Sequence, residues 1–504
     1  MGSGQVLFAR PLSAAAAALA ITVIAGCAAG PDFHRPAAPQ ASRYTPEPLA
    51  AQTASADVGG GAAQRFVPDM DIPQQWWTLF RSPQLNAMIE QAIKANPDMQ
   101  AAAAALRQTM ENVKAQQGAF YPAIQATYSP SRQKTAATLA SALASNASIY
   151  GLYTAQAAVS YTPDVFGLNR RTVEYLKAQA AVQRYQLEAT YLTLTSNVVN
   201  AAVQEATLRA QLAATAEVIR FETEAVGLMQ KQYQAGAIAL ADVVAQQAAL
   251  AQAQAGLVPL QKQLAQVRDL LTRLLGRTPD AEPAERFELS SLRLPEELPL
   301  SLPSKLVEQR PDVRAAEEQL HAATAEVGVA IADILPQFSL SADVGSVATQ
   351  AALLGGSGAG MWLAAGNITQ TLFAGGTLLH RKRAAEAGLD QTAAMYRSTV
   401  LNAFENVVDV LRALQYDADA VRAQAAAERS AAESLAIART ALKLGSISYL
   451  SLLNVEQAYQ QALIGLAQAQ GNRYADTAAL FQALGGGWWN RPESGEPSGA
   501  LGDH

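Results

Sequence analysis

The sequence predicts a mixed, mainly α-helical fold that is built twice, with a pair of strands and a pair of long coiled-coil helices in each copy. Three observations predict it. First, YQAGAIALADVVAQQAALAQAQAGL (233–257) and LKLGSISYLSLLNVEQAYQQALIGL (442–466) align without gaps, sharing Gly236/Gly445, Ile238/Ile447, Ala249/Ala458, Ala253/Ala462, Gly256/Gly465 and Leu257/Leu466. Second, NPDMQAAAAALRQTMENVKAQQGAFYPAIQATYS (96–129) aligns with RPDVRAAEEQLHAATAEVGVAIADILPQFSLSAD (310–343), with Pro97/Pro311, Asp98/Asp312, Ala101/Ala315, Leu106/Leu320, Val113/Val327 and Pro122/Pro336 in register. Third, apolar residues keep heptad spacing over stretches far longer than an ordinary helix, which means coiled-coil packing.

The N-terminus reads as a targeting signal. Arg10 supplies a positive start, and LSAAAAALAITVIAG (12–26) is an apolar run too short to span a bilayer comfortably. It ends at Cys27, the only cysteine in the chain, so a disulfide framework is excluded. Small residues leading to a lone Cys resemble a bacterial lipobox. That resemblance implies a signal peptide over 1–26 and a covalent lipid on Cys27, with an ordinary signal peptide as the alternative. Ala28 follows, where an Asp would imply retention in the inner membrane. Residues 27–75, rich in Pro, Ala and Gly without a sustained period, are expected to form an extended tether along the surface.

The first repeat is expected over 76–276, starting at Trp76-Trp77. Each copy opens with Pro then Asp, which suits the first turn of a helix and the positive end of its dipole. Each helix ends near a second Pro, and the period then falls to two. Ile124, Ala126 and Tyr128 alternate with Gln125, Thr127 and Ser129 in copy one. Phe338, Leu340, Ala342 and Val344 alternate with Gln337, Ser339, Ser341 and Asp343 in copy two. Partner strands follow: Tyr153, Ala155, Ala157, Val159, Tyr161, and a looser Trp362, Ala364, Ile368, Leu372. Strands are expected at about 120–130, 150–163, 335–346 and 360–373, with loops between partners. Ten-residue strands with one apolar face fit a membrane barrel wall, or a sandwich with a wet outer face. Four strands are too few to close a water-filled barrel, so the barrel reading requires several chains.

Long helices follow each strand pair, over 168–276 and 375–484. In copy one, Leu194, Val198, Ala201, Leu208, Leu212, Ile219, Val226, Met229 and Tyr233 mark the outgoing seam, and Val243, Leu250, Ala253, Leu257 and Leu260 the returning one. In copy two, Val400, Phe404, Val407, Leu411, Leu414, Ala418 and Val421 run out, while Leu452, Val455, Tyr459, Ala462 and Leu466 return. Gly236 and Gly445 stand where a left-handed residue stops a helix. Pro259 should bend or interrupt its helix. A Pro-rich connector is expected over 277–304, the second repeat over 305–484, and over 485–504 a tail with a short packed piece at Trp488-Trp489 and a loose end.

Other classes find little support. A net charge of −6 gives no basic face for nucleic acid. His34, His321, His380 and His504 are scattered, the two helical ones expected in water. No metal spacing, phosphate loop or nucleophile elbow appears, so neither catalysis, cofactor nor metal is expected.

The lipobox Cys27, the Gly-Pro-Asp-Phe that follows, Trp76-Trp77, and two helix–strand–strand–helix–helix copies with G-x-I corners together resemble the outer-membrane efflux proteins, the TolC-like channels, and within them the NodT-type lipoproteins. The likeness runs from Cys27 to about Leu484. It implies a homotrimer in which twelve strands, four per chain, form one outer-membrane β-barrel continuous with a periplasmic α-barrel. It also implies a periplasmic membrane-fusion adaptor and an inner-membrane pump as partners, and lipid around the strands. The corners become the periplasmic tip, with Gly236, Ala237, Ile238, Gly445, Ser446 and Ile447 meeting the adaptor. Gate positions carried over by distance from Gly445 are Leu450, Asn454 and Gln457. The subgroup's acid and base are replaced by neutral Asn454 and Gln457, which leaves Asp242 and Glu456 as acidic candidates nearby. The implied function is a passive exit duct for small toxic compounds. A protein-secretion duct would use the same tube, and a coiled-coil adaptor or structural lipoprotein would share the heptads and the anchor.

Overall fold

The computed structural model describes residues 28–39, 43–136 and 149–491. The signal segment, Cys27, much of the first inter-strand loop and the end of the tail lie outside them. In chain order the elements are β1 (Arg65–Pro68), α1 (Pro83–Ala95), α2 (Pro97–Gln117), β2 (Ala123–Lys134), β3 (Ile149–Tyr161), α3 (Leu168–Gln234) and α4 (Leu240–Leu274). They continue with β4 (Glu297–Leu300), α5 (Pro303–Gln309), α6 (Pro311–Ala332), β5 (Gln337–Ala348), β6 (Gly360–Thr369), α7 (Thr377–Lys443) and α8 (Tyr449–Ala483). The two outgoing helices, α3 and α7, are each 67 residues long, and the two returning helices, α4 and α8, are each 35. The duplication is thus repeated in element lengths. Pro259 sits inside α4 without ending it.

The chain divides into two compact units, each drawing on both copies. One comprises Met1–Pro36, Ala105–Gln183 and Ala316–Tyr396; the other comprises Ala37–Ala104, Arg184–Ala315 and Arg397–His504.

The first unit holds an antiparallel sheet in the order β2-β3-β5-β6. Its register places the alternating residues of both copies on common faces. Ile124, Val159, Ala342 and Ala364 form one cross-strand row, and Ala126, Ala157, Val344 and Trp362 the next. The row between them is Gln125, Ala158, Asp343 and Leu363, and the next row on that opposite face is Thr127, Gln156, Gly345 and Met361. One face is therefore aliphatic and aromatic and the other mainly polar. Leu372 lies past the end of β6.

The second unit has an aromatic core. Trp76, Trp77, Phe80, Phe287, Tyr474 and Phe481 are fully buried, with Trp76 stacked on Phe481 at 5.3 Å between ring centroids. Burying each large side chain contributes about 1.5–3 kcal/mol. Gly471 lets α8 approach α3 closely, since a Cβ there would lie 2.2 Å from Thr207 Oγ1.

The stretch expected to be a plain tether contains β1, which pairs in parallel with β4 from the connector. Arg473, fully buried, holds the same stretch by donating to Gly60 O (3.1 Å), Ala62 O (2.7 Å) and Thr53 Oγ1 (3.0 Å). Two four-residue strands from opposite ends of a copy are too short to show a period, so sequence patterning passes over them. His321 also departs from expectation. It is not free in water but stacks on Phe33 (4.4 Å, 15°), with its nitrogens 3.1 Å from Glu174 and 3.3 Å from Glu318. Those carboxylates raise its pKa from 6.5 to about 9. The contribution is full below 6.5 and is lost as pH rises through about 9.

Candidate functional site

Two regions carry the chemistry expected of a channel subunit. The first is the sheet. Strand β2 is exposed throughout, and β6 nearly so, with Trp362 81%, Ile368 64% and Ile124 75% exposed. Strands β2 and β6 are its two edges, so each leaves a row of backbone donors and acceptors unpaired within the chain. Exposed edges of 12 and 10 residues invite another strand. Among the described residues no helix is long and apolar enough to cross a membrane.

The second region is the pair of hairpin corners. At the first, Gly236 has φ +74°; its N–H donates to Tyr233 O (2.9 Å), and Ala237 N–H reaches back to Gln232 O (2.9 Å). At the second, Gly445 has φ +73°, and Ser446 N–H reaches Ala441 O (2.9 Å). Both are Schellman closures, with glycine supplying the left-handed residue. Beyond each corner a new helix is capped. Ser448 Oγ accepts from Ser451 N–H (3.2 Å), and the Asp242 carboxylate accepts from Ala239 N–H (3.2 Å). Asp242 therefore starts a helix. Gly236, Ala237, Gly445 and Ser446 are exposed, whereas Ile447 packs against Leu435, Ala438 and Leu452.

Behind the corners lies a polar cluster that joins both hairpins. Glu456 is buried and its carboxylate accepts from Arg439 (3.4 Å), while Arg439 lies over the Phe221 ring at 4.7 Å. Glu222, also buried, accepts from Gln246, and Gln457 adds a hydrogen bond to the same carboxylate. Burial pushes both carboxyls above their usual pKa, and the charge of Glu456 raises Glu222 further. Tyr449 is pushed up to about 12 by burial and then by the neighbouring Glu456, Glu222 and Glu224. The carried-over gate positions Leu450, Asn454 and Gln457 are all exposed, and of them Gln457 reaches this cluster, while the nearby acidic candidate Glu456 is buried in it. Glu222, Gln246 and Arg439 were not singled out from sequence. The available signal was heptad position: Glu222 stands on the seven-residue line of Leu208 and Met229, where a seam calls for an apolar residue.

A sheet with one apolar face and two open edges, joined in sequence to duplicated coiled-coil hairpins, defines the subunit of a membrane channel. The model of the outer membrane efflux protein family matches residues 88–277 and 302–486. The chain is 30% identical over 479 residues to the toluene efflux pump outer membrane protein TtgC of Pseudomonas putida, covering 94% of this chain and 96% of that protein. It is 26% identical to the cation efflux system protein CusC of Escherichia coli K12, covering 93% and 98%. The solved structure of the outer-membrane channel OprN superposes with a TM-score of 0.80 at 25% identity, covering 92% of this chain and all of that one. The chain belongs to the outer membrane efflux protein family. It is an outer-membrane channel of an efflux system.

Proposed function

We propose that three copies of this chain form a passive exit duct, which takes small toxic compounds from an inner-membrane pump and a periplasmic adaptor and releases them outside the cell. The observation that carries this reading is the pair of open edges on the four-stranded sheet. In lipid every unpaired backbone group costs several kcal/mol, so an open sheet is not a stable spanning structure. Pairing β2 of one copy with β6 of the next removes both edges. Three copies supply twelve strands, enough for a water-filled bore where four are too few. Relatives named for toluene and for cations favour efflux over protein secretion, and no catalytic role is assigned to the duct.

In this reading Cys27 carries the covalent lipid, as in the NodT-type lipoproteins. The exposed Gly236-Ala237 and Gly445-Ser446 turns, with Ile238 and Ile447 behind them, meet the adaptor. The cluster of Glu222, Gln246, Arg439, Glu456 and Gln457 holds the tip closed, with Leu450 and Asn454 beside it. Asp242 serves as a helix cap rather than as a latch.

Purified protein in a planar bilayer tests the duct. Discrete ion-conducting steps are expected from the assembled complex. A specimen that inserts yet passes no current would sink the reading.

A further inference from the structure

We infer that Asp343 sets the charge preference of the exit, so that the strand-walled bore passes cations and cationic solutes more readily than anions. The inference rests on the proposed closure of three sheets into one barrel. The strands and the segments joining each pair are almost free of charge. Across residues 118–161 and 337–376 the sequence holds three charged side chains, Arg132, Lys134 and Asp343. Strand pairing divides them between the two faces of the sheet. Arg132 and Lys134 keep the parity of Ile124, Ala126 and Tyr128, so they lie on the apolar face, at the end of β2 that leads into its loop. Asp343 falls between Ala342 and Val344, with Ala158 and Leu363 across from it, and so belongs to the opposite face. Among the described strand residues it is the one charged side chain there.

Alternation in a membrane barrel turns the apolar face to lipid and the polar face to the bore. Asp343 then projects inward, and threefold symmetry brings its three copies to one level whatever the register between neighbouring chains. Nothing beside it neutralises the charge: Ser341 and Gly345 flank it along the strand on the same face, and Ala158 and Leu363 face it across. Fixed carboxylates lining a pore concentrate cations and repel anions. Distance isolates this level from other charges. The helix end of β5 at Gln337 is about 20 Å of strand away, and Arg132 is about 24 Å of strand beyond Gln125 in the Asp343 row. The Debye length at 0.1 M salt is about 10 Å, so charges past either end of the sheet are screened here, whereas an ion passing along the wall meets the carboxylate directly. Among small toxic compounds, the exit therefore favours positively charged ones over negatively charged ones.

The test is the reversal potential of the full-length complex in a planar bilayer under a potassium chloride gradient. Wild type is compared with Asp343→Asn, Asp343→Glu and Asp343→Lys, each first shown by native mass spectrometry to assemble as the wild type does. The potassium-to-chloride permeability ratio should exceed one in wild type and stay there in Asp343→Glu. It should fall severalfold in Asp343→Asn and drop below one in Asp343→Lys. These differences should be largest near 0.01 M salt, where the Debye length is about 30 Å, and collapse near 1 M, where it is about 3 Å. Equal ratios in wild type and Asp343→Asn at low salt overturn the proposal while the current itself leaves the duct standing. An inserted wild-type complex that passes no current removes the duct, and this proposal with it.

Discussion

Single residues set the corners of this protein and its pH response. Gly445 has a left-handed backbone, and nothing lies within 4 Å of the Cβ it lacks. The penalty of Gly445→Val is therefore backbone strain of about 1–2 kcal/mol at one residue, with no clash. The expected outcome is raised dye leakage with assembly intact; wild-type permeability would remove the corner from the gate. Asp417 belongs to a different setting. Burial, a hydrogen bond that its protonated carboxyl donates to Asp476, and the Asp476 charge raise its pKa from 3.8 to about 7, partly opposed by Arg473. A carboxyl whose folded pKa is raised contributes stability that is full below 3.8 and is lost as pH rises through about 7. Asp417→Asn should raise the melting temperature at pH 8 and leave it nearly unchanged at pH 4. An equal shift at both values would show that the proton plays no part. At this scale the sequence was partly legible. The glycines announced themselves through their repeated context, but Glu222 and Arg439 depended on which helices face each other.

At the scale of elements, heptads and alternation were enough to place the long helices and the four sheet strands. Helix α3 begins at Leu168, ahead of Leu194 where its heptad seam starts, and the strands fall within a few residues of their expected limits. The period survives because each of these elements has a continuous apolar face. The β1–β4 pair had no such face to display, and Pro259 did not end its helix. The polar cluster behind the corners is the element whose strength can be measured. Glu222→Ala removes the acceptor shared by Gln246 and Gln457 and leaves the buried Gln246 amide unpaired, while the exposed Gln457 turns to water. Breaking such a buried network costs about 1–3 kcal/mol per stranded group, which is enough to shift a closed tip toward open. Single-channel conductance should rise in Glu222→Ala and stay near wild type in Glu222→Gln, which keeps a hydrogen-bonding partner and sheds the repulsion with Glu456. Identical conductance in alanine and glutamine variants would mean that the cluster only stabilises the hairpins.

For the whole molecule, the governing fact is incompleteness. One chain makes a sheet with an apolar face and two open edges, a form that has no stable existence in lipid by itself. The same composition that ruled out a basic nucleic-acid surface and a disulfide scaffold also left no helix among the described residues able to cross a bilayer. The apolar face of the sheet is exposed, and a sheet that meets lipid must close its edges. The most direct test is the mass of the detergent-solubilised complex by native mass spectrometry. The account predicts three chains per particle with no stable single-chain species. A folded particle containing one chain would contradict it.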